Sequence, residues 1–257
     1  MHFKSLPILC IALVGSSAFA QAKPPEPDYT LAFNVGAFTD YRFRGITQTR
    51  FDPALQGGID FSHKSGFYLG TWASNIKWIK DGGGRNSDVE IDIYGGYKGS
   101  VSDVGYDLGV LGYLYPGHRG YAPANPQTTE LYGALTFGPV TAKYSHAVTN
   151  TFGFADSHNS GYLDISAVFD LGGGWSVVPH IGRQRIAGRP GGVSNSQFSY
   201  TDYALTLNKD FGNGFVASLA TIGTDAKKAS YSVPVGVSSA GKYTGRDTVV
   251  LGLKYNF

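Results

Sequence analysis

The chain of 257 residues contains 36 Gly, 17 Tyr and 16 Phe, and only 16% of its residues are charged. This composition excludes a disordered acidic or basic tail, which would be rich in charge and poor in aromatic residues. The formal net charge of +2 gives no electrostatic sign of a nucleic-acid partner, and we expect none.

The N-terminal segment has the composition of a secretory signal peptide. Lys4 supplies a positive charge, an apolar run covers 6–14, and Ala18 and Ala20 form a small pair before a cleavage site. Cleavage after Ala20 would also remove Cys10, the single cysteine, which excludes disulfides and cysteine-ligated metals from the exported chain. The predicted domain organisation is a signal peptide at 1–20, a Pro-rich leader at 21–28 and a β-barrel at 29–257.

From residue 29 onward, apolar and polar residues alternate with a period of two, which is typical of β-strands. No apolar run beyond the signal peptide approaches the roughly 18 residues that a membrane helix needs. The pattern predicts about twelve strands of about ten residues, the length of strands in membrane barrels. They are 29–38, 54–63, 67–76, 89–98, 104–114, 128–138, 140–150, 161–170, 174–184, 200–209, 214–223 and 246–257.

The connections between these strands alternate between long and short. In an antiparallel order, successive connections fall on opposite ends of the sheet, so the long ones share one end and the short ones the other. This asymmetry is typical of outer-membrane barrels. We therefore predict an all-β fold, a single transmembrane antiparallel up-and-down β-barrel in the outer membrane of a Gram-negative bacterium. The long connections are 39–53, 77–88, 115–127, 151–160, 185–199 and 224–245.

Charged side chains recur on one face of many strands, where a soluble core would leave them unsatisfied but a wet lumen would not. The predicted lumen-lining residues are Asp60, Glu90, Asp92, Asp107, Glu130, Lys143, Asp164, His180, Asp202, Arg246 and Lys254. Acids outnumber bases in this set, which predicts a mild cation preference if the pore conducts. The alternative is that these groups pair across a narrow lumen and plug it.

Basic residues collect in the long connections, and four of them are candidates for a vestibule that attracts an anionic solute: Arg42, Arg44, Arg185 and Arg189. The alternative is that such residues contact lipopolysaccharide phosphates or are ordinary solvated charges.

Aromatic residues near strand ends predict interfacial girdles. The candidates are Tyr29, Phe67, Tyr97, Phe137, Tyr162, Trp175, Tyr203 and Phe215. The last strand ends on an alternating apolar face that includes Leu253, Tyr255 and Phe257. That ending is similar to the assembly signal of bacterial outer-membrane proteins, so we expect the assembly machinery, outer-membrane lipid and lipopolysaccharide as partners.

Two early blocks carry a family resemblance: "LAFNVGAFTDYRFRGITQT" at 31–49 and "DPALQGGIDFSHKSGFYLGTWASNI" at 52–76. Weaker blocks follow at 90–99, 106–117, 129–138 and 200–212. With these stretches the chain resembles the TorF-like family of bacterial outer-membrane porins. The resemblance implies an outer-membrane barrel of porin architecture, and it transfers neither a substrate nor site residues.

The sequence thus predicts a porin-like channel for passive diffusion of ions or small hydrophilic solutes, with no catalysis, cofactor or metal. One alternative is a non-conducting structural or adhesive barrel. Another is an outer-membrane lipid hydrolase, for which His158, Ser160 and Asp156 could supply base, nucleophile and orienter.

Overall fold

The computed structural model describes residues 27–84, 87–233 and 241–257, so the predicted signal peptide and most of the Pro-rich leader lie outside the described residues. The strands are β1 (Tyr29–Phe38), β2 (Arg42–Phe43), β3 (Ile46–Thr47), β4 (Ala54–His63), β5 (Phe67–Asn75), β6 (Val89–Val101), β7 (Val104–Leu114), β8 (Thr128–Phe137), β9 (Val140–Ala147), β10 (Gly161–Ala167), β11 (Phe169–Gly172), β12 (Trp175–Arg185), β13 (Tyr200–Asp210), β14 (Phe215–Thr224) and β15 (Thr248–Asn256). The helices are α1 (Trp78–Asp81) and two 3₁₀ helices (Pro190–Gly192 and Asn195–Phe198). In the described ranges, no helix has the length and apolar character needed to cross a membrane.

The long strands form one closed antiparallel sheet. Each strand pairs with its neighbours in the chain, and β1 pairs with β15, for example Val35 with Tyr255. β10 and β11 both pair with β12 and are one strand interrupted at Val168, so the barrel has twelve strands. Closure leaves no edge strand with unpaired backbone groups. The predicted antiparallel up-and-down barrel of about 12 strands is confirmed.

The two ends of the barrel differ as the sequence pattern predicts. One end carries the long connections, and the other carries only short turns such as Lys64–Gly66 and Ser102–Asp103. Some boundaries differ from the prediction: β9 ends at Ala147 and not at residue 150, and the Ala147 amide makes the last bond toward β10, to the Ser160 carbonyl. The long connections are 39–53, 76–88, 115–127, 148–160, 186–199 and 225–247.

The outer surface of the barrel is apolar. Val249 and Leu251 are more than half exposed, whereas Val250 between them is buried. Of the eight girdle candidates, seven are exposed aromatic side chains, but Tyr162 is 6% exposed and the prediction is wrong for it. The period of two explains the error, because Tyr162 shares its strand face with Asp164 and therefore points inward.

Inside the barrel, tyrosine rings lie against glycines of the neighbouring strands. A Cβ atom at Gly70 would clash with the ring of Tyr94, and one at Gly109 would clash with the ring of Tyr132. The rings cover backbone that carries no side chain of its own, as aromatic residues do beside glycines in other sheets. This packing fills part of the lumen and fixes the position of the tyrosine hydroxyls.

Candidate functional site

The first long connection, 39–53, folds into the barrel as a short hairpin. β2 and β3 pair with each other, and Arg44 and Gly45 at the tip both have positive φ, as a type I′ turn requires. Left-handed backbone at Arg44 costs about 1–2 kcal/mol. The amide of Gln48 bonds the carbonyl of Tyr41, which closes the base of the hairpin. We call residues 42–47 the inward hairpin.

Asp40 organises the base of the inward hairpin. Its carboxylate accepts hydrogen bonds from Arg42 Nε at 2.7 Å, Thr47 Oγ1 at 2.5 Å and Thr49 Oγ1 at 2.9 Å. Arg42 also donates to the Thr248 hydroxyl at 2.5 Å, which ties the hairpin to β15. Because these groups are buried and mutually bonded, the base of the hairpin is held in a defined position.

The hairpin tip is anchored on the opposite wall. Nη2 of Arg44 lies 2.7 and 2.9 Å from the two carboxylate oxygens of Glu130, and Nη1 donates to Gln184 Oε1 at 2.7 Å. The guanidinium also lies over the ring of Tyr162, 4.2 Å from its centroid. Both partners of the ion pair are buried, with side-chain exposures of 6% and 2%. Such a pair is strongly unfavourable to break, because either charge alone would remain buried.

Aromatic packing adds to this anchoring. Phe43 contacts Tyr113 and Phe152 edge to face, with ring centroids 5.4 and 5.3 Å apart. Tyr41 packs edge to face on Trp72 and donates from its hydroxyl to Glu90 Oε1 at 2.6 Å. Side chains of loop 39–53 therefore occupy the lumen between facing walls.

The four vestibule candidates separate into two places. Arg185 and Arg189 are exposed at the loop end of the barrel, as the sequence interpretation expects. Arg42 and Arg44 instead lie inside the barrel, bound to carboxylates. The difference arises because Arg44 and Gly45 reverse the chain, so that Arg44 reaches Glu130 of the wall while Arg42 binds Asp40 of its own loop.

Two cavities lie in the polar interior of the barrel below the loops. One has a volume of about 460 Å³ and is lined by Asp92, Asp107 and Lys143 together with tyrosines. The other has a volume of about 330 Å³, and its lining includes Arg44 and Asp202. The inward hairpin lines the second cavity, Tyr41 at its base lines the first, and Lys143 lines both.

Within the second compartment, a histidine joins two carboxylates. His180 Nε2 lies 2.7 Å from Asp202 Oδ2, and Nδ1 lies 3.0 Å from Asp164 Oδ2. Tyr162 also donates to Asp202, at 3.0 Å. These groups are paired with each other across neighbouring strands.

The remaining lumen candidates have separate environments. Asp60 accepts a hydrogen bond from Tyr94 at 2.5 Å. Lys254 lies near the short-turn end of β15 and is half-buried. Arg246 differs from the expectation: it precedes β15, is exposed, and lies over the ring of Phe51 at 4.0 Å. In the described ranges, no cluster of three or more His, Cys, Asp or Glu could hold a metal ion.

The hydrolase candidates are not arranged as a catalytic set in the structure. Ser160 is buried, and its Oγ donates to the Ser157 carbonyl at 2.6 Å and accepts from the Ala187 amide at 3.0 Å. His158 and Asp156 are exposed. The hydroxyl of Ser160 therefore joins loop 148–160 to loop 186–199 through these two hydrogen bonds.

We expect Ser160→Ala to lower the free energy of unfolding by about 1–3 kcal/mol, because it leaves the buried backbone amide of Ala187 without its acceptor. Urea unfolding in lipid vesicles, followed by the gel mobility of unboiled samples, measures this. Ser100→Ala, at an exposed position in β6, is the matched control. Loss of a lipid-hydrolysing activity with unchanged stability would contradict the structural role.

Sequence reasoning missed most of the residues that receive the hairpin, among them Gln184, Phe152 and Tyr113. Their positions on strands or loops give no signal of a partner far away in the chain. A usable signal did exist in the sequence "YRFRGIT" at 41–47, where Gly follows alternating residues as in a two-residue hairpin turn.

Comparisons with known proteins agree with the architecture. The chain is similar to a solved structure of the KdgM porin, with a TM-score of 0.54 and 7% identity over 88% of this chain and 99% of that one. For the same porin in complex with disordered oligogalacturonate, the TM-score is 0.52 and the identity 7%, over 88% of this chain and 98% of that one. For the NanC porin, the TM-score is 0.52 and the identity 8%, over 89% of this chain and 99% of that one. At these identities the similarity establishes the fold.

No curated protein matches the sequence. Residues 21–257 match a family described as "Bacterial protein of unknown function (Gcw_chp)". That match spans the whole barrel, including the inward hairpin and the strands that receive it. The chain therefore belongs to the Gcw_chp family of bacterial proteins.

Proposed function

We propose that this protein is a porin-like channel of the bacterial outer membrane, of the TorF-like type, that passes ions or small hydrophilic solutes by passive diffusion. The observation that carries the proposal is a closed barrel with an apolar outer surface and a polar interior that contains cavities. A membrane requires this combination, because lipid contacts the outside while backbone groups stay paired. No step of the proposal needs catalysis.

The fold shared with the KdgM and NanC porins supports the proposal. One KdgM structure is a complex with disordered oligogalacturonate, a hydrophilic solute. The exposed aromatic residues at strand ends support insertion in the outer membrane, where such rings lie at headgroup level. Contact of Arg185 and Arg189 with lipopolysaccharide, and recognition of Leu253, Tyr255 and Phe257 by the assembly machinery, belong to the same proposal.

The interior charges favour a mild cation preference. The larger cavity is lined by two carboxylates, Asp92 and Asp107, and by one base, Lys143. Oδ1 of Asp92 has no hydrogen-bond partner among the described residues. By contrast, the basic Arg44 is neutralised by Glu130. A solute that passes through this compartment meets a net negative wall, which attracts cations.

Single-channel conductance of residues 21–257, refolded in detergent and inserted in a planar bilayer, tests the proposal. A gel that compares boiled and unboiled samples first establishes folding. Stable current steps, with a reversal potential of cation sign in a salt gradient, are the expected result. Absence of current from folded protein would contradict the channel. A reversal potential of anion sign would contradict the cation preference.

We expect the double variant Asp92→Asn, Asp107→Asn to remove the cation preference, because it leaves Lys143 as the charged group of that cavity. The reversal potential should move to zero or to the anion side. Asp103→Asn, in an exposed turn between β6 and β7, is the control and should leave the potential unchanged. An unaltered potential in the double variant would show that another compartment sets the preference.

A non-conducting structural barrel is the second candidate, because the inward hairpin crosses the lumen and bonds both walls. It differs from the channel in one measurement. Folded protein would give no current, and excision of the hairpin would create one. An outer-membrane lipid hydrolase gains no support from the placement of Ser160.

A further inference from the structure

A third cavity lies among the long loops, on the loop side of the inward hairpin. Its volume is about 280 Å³, and every long connection contributes to its lining. Phe43 of the hairpin and Phe152 line one part of it. Because the cavity is built from the loops, a solute that enters from the loop end meets it before the charged compartments.

Aromatic side chains are the largest class in this lining, seven of its eighteen residues. Trp78 and Tyr121 make an edge-to-face pair with ring centroids 5.4 Å apart. Tyr200 and Tyr231 make a second pair at 5.2 Å. The faces of such rings carry partial negative charge and attract cations, most strongly when water is excluded.

The formal charge of the lining has one sign. Asp81 is its charged residue, and neither lysine nor arginine belongs to the lining among the described residues. Arg50 Nη2 lies 2.6 Å from Asp81 Oδ1. Burial raises the pKa of Asp81 above its ordinary value, and the nearby Arg50 opposes that shift. A partly buried carboxylate of this kind gains from a second cation nearby.

The rings of this cluster already bind a cation of the protein. The guanidinium of Arg44 lies 4.8 Å from the ring centroid of Phe43 and 5.6 Å from that of Phe152. The aromatic composition of the cavity is therefore of the kind that stabilises positive charge in this molecule.

We propose that this loop cavity binds a small organic cation with an apolar body, such as an alkylammonium ion, and selects it at the mouth of the barrel. The selection rests on the proposed channel function, but binding itself requires no conduction. The quadrupoles of the rings and the carboxylate of Asp81 disfavour an anion of the same shape. The cavity volume is enough for a trimethylammonium group and too small for an extended polymer.

Three probes of matched bulk separate charge from shape: choline, its neutral analogue 3,3-dimethylbutan-1-ol, and the anion 3,3-dimethylbutanoate. Residues 21–257, folded in a non-ionic maltoside detergent, would be titrated with each. The readout is the indole N–H resonance of Trp78 among the three tryptophans of the chain, assigned with Trp78→Phe. Choline should shift this resonance and bind about tenfold more tightly than the alcohol. The anion should not bind.

Two variants test the assigned groups. Tyr231→Leu removes one ring, and Asp81→Asn removes the carboxylate while keeping the shape of the side chain. Each should weaken choline binding about fivefold. Tyr97→Leu removes an exposed aromatic ring at the short-turn end and is the matched control, with unchanged affinity expected.

Equal affinity for choline and the alcohol, tighter binding of the anion, or no shift of Trp78 in folded protein would overturn the inference. The channel proposal and the loop-site proposal can fail independently of each other. Choline binding by a barrel that carries no current would support the loop site and contradict the channel. Current without choline binding would support the channel and contradict the loop site.

Discussion

Excision of the inward hairpin is expected to raise the single-channel conductance about threefold, because the hairpin is the backbone segment that crosses the lumen. Tyr41 and Gln48 are already joined by a backbone hydrogen bond, so replacing 42–47 by Asn-Gly leaves a favourable two-residue turn between them. The Tyr41–Glu90 contact stays in place. Excision would open the two cavities that residues of the hairpin line. Conductance in a planar bilayer measures the change.

The control is a change of the same kind in a loop that does not enter the barrel. Replacement of 190–193, a mostly exposed part of loop 186–199, by Asn-Gly should leave the conductance within the spread of the unmodified protein. If excision of the hairpin leaves the conductance unchanged while the protein folds, the constriction lies elsewhere. If only the excised form conducts, the unmodified protein is a plugged barrel.

Arg44→Met is expected to lower the free energy of unfolding by about 3–5 kcal/mol, because it leaves Glu130 buried without its partner. Glu130→Met should cost a comparable amount, because it leaves the guanidinium of Arg44 buried without its carboxylate. In the double variant Arg44→Met, Glu130→Met neither charge remains, so much of the loss should be recovered. The coupling between the two positions in this cycle measures the pair itself. Urea unfolding in lipid vesicles gives the four values.

The matched control for this cycle is Arg185→Met. Arg185 is exposed and donates to the carbonyl of Asn159, so its replacement should change the stability by less than about 0.5 kcal/mol. Additive losses at Arg44 and Glu130 would mean that the pair seen in the structure contributes nothing to folding. Conductance of Arg44→Met adds a functional reading, since a released hairpin tip should make the current noisier or larger.

The two experiments address different properties of the same segment. Excision asks whether the hairpin limits the passage of ions. The cycle asks how firmly its tip is held by Glu130 on the facing wall. A hairpin that is strongly held and limits the current is a fixed constriction. One that limits the current but is weakly held would let the passage change its width.

Several features of this protein could be predicted from the sequence because they are local. The alternation of apolar and polar residues has a period of two, and a strand of that pattern has one face for the core and one for the outside. The alternation of long and short connections then fixes which loops share an end. Val249 and Leu251 on the outer surface follow from these two rules. Tyr162 obeys the first rule as well, since it shares a face with Asp164, although its aromatic character favoured the girdle interpretation.

The direction taken by loop 39–53 could not be predicted in this way. A loop that extends into water and one that turns into the lumen have the same local pattern, and Arg42 and Arg44 are compatible with both. The inward path depends on partners that are distant in the chain: Arg44 meets Glu130 86 positions away and Gln184 140 positions away, and Arg42 meets Thr248 206 positions away. These groups become neighbours only when the barrel closes.

The sequence by itself thus determined the barrel, its strand order and the face of each strand, because short-range periodicity and loop length decide them. The tertiary structure decided what fills the barrel. Burial of a guanidinium is favourable only where the fold holds a carboxylate and aromatic rings in fixed positions around it. That condition is met for Arg44 by residues from the facing strands and from loop 148–160, and it is absent for the exposed Arg185 and Arg189.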